Sequence, residues 1–207
     1  AVADALGVEL ELKPVTSDTR IPMLEQGSVD MLAATMTHKF SRDEKIDFSI
    51  TYFMDGQKIL VAADSGINSI EDLAGKKVGT AKGSTSEKNI AAAQPDCEVV
   101  SYEGYPDAFL ALKQGLVDAV TTDSTILLGL KNSDANPDKW AIVGDFISAE
   151  PYGLGVPQND SAFRDLVNRT LVDLWNSGEY KKIYDKWFGP DTKFYLPTTW
   201  EMETWPY

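Results

Sequence analysis

The chain of 207 residues contains one cysteine, Cys97, and one histidine, His38. A lone thiol cannot close an intrachain disulfide, so cysteine usage leaves the redox compartment open. One His and one Cys also leave too few ligands for the common zinc and iron centres. No EF-hand spacing occurs, which leaves only an irregular carboxylate site open to Ca²⁺ or Mg²⁺. No apolar run is long enough to span a bilayer. Positive charge is scarce: 19 Lys and Arg stand against 32 Asp and Glu, a net charge of −13. That balance argues against a nucleic-acid partner, which would call for basic patches. Catalytic signatures are thin as well. There is no G-x-S-x-G, no Gly-Lys-Ser/Thr after a glycine run, and His38 stands in no recognisable triad.

What is present is an internal echo. Leu24-Glu25-Gln26-Gly27-Ser28-Val29-Asp30 leads into an apolar run ending at Thr35. Leu112-Lys113-Gln114-Gly115-Leu116-Val117-Asp118 leads into one ending at Thr121. Each copy reads as a helix end, a glycine cap and a buried strand that opens into threonines. The plan predicts two α/β lobes, whose ligands would sit beyond the carboxyl ends of the strands.

Along the chain, Ala1–Gly7 reads as the last two turns of a helix, so an upstream segment is expected to complete it. Alternation predicts a strand over Val8–Val15. Asp18 or Ser17 can cap a short helix with Pro22 in its first turn, and Val29–Ala34 is the first echoed strand. A short helix starts at Ser41, and an extended stretch covers Ile46–Tyr52. Strands are expected over Gln57–Ala62, Lys77–Ala81, Glu98–Ser101, Val117–Thr121, Trp140–Val143 and Gly153–Val156. Helices follow Ser86, Pro106 and Asp123. Ser69-Ile70-Glu71-Asp72 reads as a capping box. Phe163, Leu166, Val167, Leu171, Leu174 and Trp175 make one helical stripe, and a last helix follows Gly178. The aromatic, proline-containing tail from Thr192 is expected to wrap the surface.

Four places could carry chemistry. Thr35-Met36-Thr37 with Arg42 offers hydroxyls and a guanidinium suited to a carboxylate, although Arg42 could simply pair with Asp43 or Glu44. Gly83-Ser84-Thr85-Ser86 sits between strand and helix, where an anion can be cradled or a helix merely capped. Asp123 could receive an ammonium or act as an N-cap. Arg20 lies in a first helical turn, where the macrodipole disfavours a cation. An anionic ligand would resolve that conflict, and so would Asp18. Glu87 is the one carboxylate placed to act as an acid, and a first-turn glutamate is its plainer reading.

Three further stretches carry a family resemblance: Arg42-Asp43-Glu44-Lys45-Ile46-Asp47-Phe48-Ser49, Ser69-Ile70-Glu71-Asp72-Leu73-Ala74-Gly75-Lys76-Lys77-Val78-Gly79, and Gly178-Glu179-Tyr180-Lys181-Lys182-Ile183-Tyr184-Asp185-Lys186-Trp187-Phe188-Gly189. In this order they resemble the type II (family 3) extracytoplasmic solute-binding proteins of amino-acid ABC transporters, from Ala1 to about Gly189. The resemblance implies a two-lobed α/β periplasmic-binding-protein-like fold with two hinge strands and a ligand in the interlobe cleft. Residues 1–54 and 150–207 would form lobe 1, and 55–149 lobe 2. Hinges would lie near Tyr52–Gly56 and Ser148–Tyr152, with the C-terminal helices returning to lobe 1. The family plan begins with a strand and half a helix before Ala1. Lobe 1 is therefore expected to lack its N-terminal strand unless an upstream segment, a second chain or strand exchange supplies it.

The resemblance also implies roles. Arg42 would bind the ligand α-carboxylate with help from Thr37, and Thr35 would offer its carbonyl to the ammonium. Asp123 would pair with that ammonium, and Gly83, Ser84 and Thr85 would add N–H groups to the carboxylate. Thr122, beside Asp123, and Tyr152, on the second hinge, complete the candidate set. Thr19-Arg20-Ile21-Pro22 resembles the glutamate- and aspartate-binding members, where this arginine meets the side-chain carboxylate. Ser17 stands where glutamine-binding members carry a stacking Phe. The expected protein is a periplasmic or otherwise extracytoplasmic binder, with no cofactor, that presents glutamate or aspartate to ABC permease subunits. Two alternatives share the fold: a cyclohexadienyl-dehydratase-like enzyme using Glu87, and a sensory ligand-binding domain. Arg20 argues against a pocket for a cyclohexadienyl ring.

Overall fold

A computed structural model describes residues 1–204. In chain order the elements are α1 (Val2–Leu6), α2 (Arg20–Glu25), α3 (Phe40–Asp43), β1 (Ile46–Phe48), β2 (Phe53–Asp55), β3 (Gln57–Ala62), β4 (Lys77–Ala81), α4 (Thr85–Ala93), β5 (Glu98–Tyr102), α5 (Tyr105–Lys113), β6 (Ala119–Asp123), α6 (Ser124–Ser133), β7 (Trp140–Val143), β8 (Glu150–Tyr152), β9 (Gly155–Pro157), α7 (Ser161–Asn176) and α8 (Glu179–Phe188). The chain divides into two compact units. Unit 1 holds residues 1–15, 19–54 and those from Pro151 on; unit 2 holds 16–18 and 55–150. The chain passes from one to the other at Met54/Asp55 and back at Glu150/Pro151, where β2 and β8 pair.

Unit 2 is a five-stranded sheet of order β5-β4-β6-β3-β7. β4 runs parallel to both β5 and β6, and β3 runs antiparallel to β6 and β7. Both faces are covered, so the central strands read as unbroken apolar runs. The period of two then sorts their side chains. Leu60 and Val120 join Phe109, Leu112, Leu127 and Trp140 on the face of α5 and α6. Ile59, Val61 and Ala119 join Leu73, Val78 and Ile90 on the other. Each fully buried aliphatic side chain of this kind contributes about 1.5–3 kcal/mol relative to exposure. Half of the expected capping box at Ser69 forms: the return bond from the Ser69 N–H to Asp72 is present, and no side-chain cap bond faces it. Asp72 Oδ2 accepts the Asn68 and Ser69 N–H groups at 2.9 and 3.1 Å, which also hold its carboxyl below the usual range.

Unit 1 contains less sheet. β1 pairs antiparallel with β9, with Phe48 opposite Gly155. A Cβ at Gly155 would lie 3.1 Å from Ile46 Cδ1 and 3.3 Å from Leu32, a tight fit that would make these side chains give by a few tenths of an ångström. One core cluster gathers Leu24, Leu32, Met36, Ile46 and Phe48. A second packs Ile50, Leu154 and Val156 against the α7 stripe of Val167, Leu171 and Val172. Asp160 caps α7 by accepting the Phe163 N–H at 3.0 Å. A third cluster is aromatic. Phe53, Tyr152 and Tyr184 pack together, with Leu196 and Trp200 of the tail against them. The tail thus does more than wrap the surface: Met202 is buried in the second cluster. Its last three residues lie outside the described region.

Several expectations fail in unit 1. Val8–Val15 forms no strand, and Leu10 and Leu12 are 68% and 83% exposed. Alternation predicts which face a strand would bury, but the residues find no ladder partner among the described residues. Val29–Ala34 forms no strand either; Leu32 makes an isolated bridge to Gly155. The third helix begins one residue earlier than expected, at Phe40, with no side-chain cap. The helix at Arg20 is capped by neither Asp18 nor Ser17; its N-cap position is Thr19, which makes no side-chain capping bond. The strand expected at Gly153–Val156 is β9, one to two residues later.

Candidate functional site

In unit 1 the candidate residues lie on the segment that leaves the first echo. Thr35 adopts φ 44°, one of two non-glycine residues with positive φ among those described. This left-handed turn is braced from outside: Arg20 Nη1 donates to Ala34 O at 2.5 Å and to Thr35 O at 3.3 Å. Arg20 is 4% exposed, so the reading of a solvated arginine reaching Asp18 does not hold. Asp18 instead accepts from Lys82 Nζ at 2.8 Å within unit 2, which pushes the lysine's pKa up. Downstream, Met36 is fully buried and Thr37 bridges antiparallel to Tyr152. Arg42 Nη1 donates to Thr37 O at 2.7 Å, and Arg42 is 9% exposed. Arg42 is the third residue of α3, a single turn of four residues, so it lies in the first turn and the last alike. Tyr152 is buried with its ring 5.6 Å from that of Phe53, so the ring serves the aromatic core. Burial pushes the Tyr52 hydroxyl up to about 12, against a smaller opposing pull from the Arg20 charge.

In unit 2 the candidates leave two adjacent parallel strands at their carboxyl ends. β4 runs into Gly83-Ser84-Thr85 and β6 into Asp123, with Val78 opposite Ala119 and Thr80 Oγ1 donating to Thr121 O at 3.1 Å. Two helix N-termini, of α4 and α6, begin where these strands end, a setting that favours negative charge. The hydroxyls of the first loop are occupied. Ser84 Oγ donates to Ala81 O at 2.6 Å and accepts from Glu87 N at 3.2 Å. Thr85 Oγ1 donates to Glu150 at 3.0 Å. The first-turn N–H groups, which have no intrahelical acceptor, are what this loop can offer an anion. Glu87 closes a reciprocal cap: it accepts from Gly83 N at 3.0 Å and from the Ser101 hydroxyl at 2.5 Å. That pinning supports its structural reading over an acid role. Gly83, at φ 72°, lies so close to the Asp18 backbone that an added Cβ would sit 2.9 Å away.

Asp123 is the N-cap residue of α6 and is 5% exposed, yet its side chain makes no capping bond. Thr122 beside it is fully buried, and its hydroxyl has no hydrogen-bond partner among the described residues. Two buried carboxylates in this unit went unnoticed in the sequence. Asp55 gathers donors from Ser124 and Thr125, and Glu150 gathers Thr85 Oγ1, Asn89 Nδ2 at 2.9 Å and Ser148 Oγ at 2.5 Å. Most of their partners stand some 60 to 70 residues away, beyond the reach of any local motif. Among the described residues no group of three or more His, Cys, Asp or Glu is placed to hold a metal ion.

Comparison with known proteins bears on all of this. Residues 1–190 match the profile of the bacterial extracellular solute-binding proteins, family 3. The chain is 42% identical over 191 residues to the ABC transporter glutamine-binding protein GlnH of Bacillus subtilis, covering 91% of this chain and 69% of that protein. It is 35% identical over 178 residues to an L-glutamate/L-aspartate-binding protein of Pseudomonas aeruginosa, covering 84% of this chain and 59% of that one. Among solved structures, an ancestral arginine-binding protein bound to glutamine superposes with a TM-score of 0.86 at 40% identity, over 91% of this chain and 84% of the other.

Proposed function

The chain belongs to the family 3 bacterial extracellular solute-binding proteins, and from that membership we propose that it is the amino-acid-binding component of an ABC transporter. Its place is extracytoplasmic and its macromolecular partner is the permease. The ligand is the zwitterion of a polar amino acid. Arg42 and Thr37 receive its α-carboxylate together with the first-turn N–H groups behind Gly83, Ser84 and Thr85. Asp123 and the Thr35 carbonyl receive its ammonium, and Thr122 and Tyr152 shape the surroundings. One observation supports this reading above the others. A buried guanidinium and a buried carboxylate stand at chain exits of the two units, and neither is consumed by a helix cap. A zwitterion needs one of each.

For the side chain, a buried guanidinium at Arg20 favours a carboxylate, hence glutamate or aspartate. Glutamine is the second reading. It is favoured by the 42% identity to a glutamine-binding protein and by the two carbonyls that Arg20 Nη1 already serves.

Calorimetric titration with glutamate, aspartate and glutamine decides between them. Arg42→Ala is expected to cost about 2–5 kcal/mol of affinity for whichever ligand binds, through loss of a charge-assisted contact. Wild-type affinity in that variant would remove Arg42 from the site. Arg20→Ala should weaken glutamate far more than glutamine; equal losses would assign Arg20 to bracing the Thr35 turn alone.

A further inference from the structure

Gln57 opens β3, and its side chain is fully buried in unit 2. Burying an amide costs free energy unless its hydrogen bonds are made. Both amide hydrogens are placed: Nε2 donates to Thr121 Oγ1 at 2.9 Å and to Ser86 O at 3.2 Å. The amide cannot be turned over. Ser86 O can only accept, and the Thr121 hydroxyl already donates to Lys58 O at 2.7 Å, so it too meets Gln57 as an acceptor. The bond to Ser86 continues into α4. The Ser86 carbonyl shares its peptide with the Glu87 N–H, which donates to Ser84 Oγ at 3.2 Å. The Ser84 hydroxyl donates in turn to Ala81 O at 2.6 Å. A relay of hydrogen bonds thus runs from β3, through the first turn of α4, to the end of β4.

The N–H groups of the loop itself are committed, Gly83 N to Glu87 at 3.0 Å and Ser84 N to Ala81 O at 3.3 Å. Thr85 and Ser86, the first two helical residues, carry N–H groups with no intrahelical acceptor. Ser86 Oγ, fully buried, has no hydrogen-bond partner among the described residues. We propose that Gln57 is a positioning residue for this turn: by holding the Ser86–Glu87 peptide from β3, it aims the Thr85 and Ser86 N–H groups at the α-carboxylate of the ligand. The proposal rests on the amino-acid reading above and draws only on backbone donors for the ligand. Its physical basis is direction. A donor weakens steeply as its angle closes, and the first turn of a helix has no N–H bonds of its own to fix it. Thr85 is steadied through its hydroxyl on Glu150 at 3.0 Å, and Gln57 supplies the hold on Ser86.

Calorimetric titration with L-glutamate and L-glutamine as probes tests this. Gln57→Met keeps the length of the side chain and removes both donors. It should weaken the amino acid that binds by about tenfold or more. Ser84→Ala cuts the same relay further on, so the double variant should be no more than about twofold weaker than the poorer single variant. Gln57→Glu adds a readout that a merely structural glutamine would not move. A buried carboxyl is pushed up by burial and donates only when protonated. Its affinity relative to wild type should therefore rise by about tenfold or more from pH 8 to pH 5, as one of the two donors returns. Wild-type affinity in Gln57→Met, losses that multiply in the double variant, or a Gln57→Glu with the wild-type pH profile would each overturn the proposal and leave the ligand reading standing. If Gln57→Met fails to fold, the Gln57→Glu titration carries the decision. Should the wild type bind neither amino acid, the amino-acid reading falls, and the proposal with it.

Discussion

The two echoed segments start from nearly the same instructions and end differently. Both close a helix with Gln and a left-handed glycine, Gly27 at φ 66° and Gly115 at φ 71°. Both make the same pair of terminal bonds. Gly27 N reaches Leu24 O and Ser28 N reaches Met23 O; Gly115 N reaches Leu112 O and Leu116 N reaches Ala111 O. This is the Schellman pattern, formed twice from one local sequence. Beyond it the copies part. The second becomes β6, with β4 on one side and β3 on the other. The first makes a single bridge at Leu32. A helix end is satisfied by its own last turn, whereas a strand is satisfied only by neighbours. Similar apolar runs therefore yield a strand where two ladders are available and an irregular segment where they are not.

The largest expected difference lies in the cores behind the two copies. Leu60→Ala, opposite Val120 in the sheet of unit 2, should cost toward the upper end of about 2–5 kcal/mol, because paired strands cannot collapse into the cavity. Leu32→Ala should cost toward the lower end, because the irregular segment can settle. Denaturant melts of both variants make the comparison, and equal losses would show the first copy to be as rigid as the second.

Alkali should separate the units next. The two tyrosines whose hydroxyls burial pushes upward, Tyr52 to about 12 and Tyr180 also upward, both lie in unit 1, where Tyr180 donates to Tyr52 O at 2.6 Å. A hydroxyl that ionises later when folded gives stability that is complete below about pH 10 and is lost as pH rises toward 12. For Tyr52 alone this amounts to roughly 2–3 kcal/mol. Near-ultraviolet absorbance and circular dichroism followed together should show unit 1 loosening in that window. Ionisation at pH 10 without loss of structure would contradict it.

The glycine caps should behave alike. Neither Gly27 nor Gly115 has an atom within 4 Å of a built Cβ, so Gly→Ala costs only the left-handed backbone, about 1–2 kcal/mol at each. Thermal melts that differ by more than about 1 kcal/mol between the two would mean that the local motifs are not equivalent.

The smallest contrast is between Asp118 and Asp30. Asp118 Oδ2 accepts Lys77 N at 2.8 Å, while Asp30 lies exposed beside no strand. Asp118→Ala should lose about 1 kcal/mol and Asp30→Ala almost nothing. A reversed order would sink the pairing argument.

Much of unit 2 was legible in the sequence. Strands β3, β4 and β7 fall where the apolar runs place them, because a strand buried on both faces announces itself. The strand-to-helix junction at Ser84 was legible too, although α4 starts at Thr85 rather than after Ser86, and the α7 stripe was legible from its helical period even though Ile50, which it packs against, lies far off in the chain. Unit 1 was less legible: Val8–Val15 has the alternation of a strand, but the ladder it needs is absent among the described residues. The candidate site divides the same way. Arg42, Thr37 and Asp123 were candidates through residue type together with the family resemblance, but the bracing of Thr35 by Arg20 and the capping of α6 by Asp55 had no signal in the sequence.

The sequence by itself determined the two glycine-capped helix ends at Gly27 and Gly115, the apolar strands of unit 2 and the α/β class, since each depends on bonds within a turn or on a period along one element. It also placed opposite charges at chain exits. Only the tertiary structure decided which apolar run became a strand, which arginine was buried against carbonyls, and which aspartate capped α6. Those outcomes turn on competition for a hydrogen-bond partner supplied from distant parts of the chain, as Asp55 meets Thr125 across 70 residues. Local sequence can state the demand for a partner, but the fold determines which residue meets it.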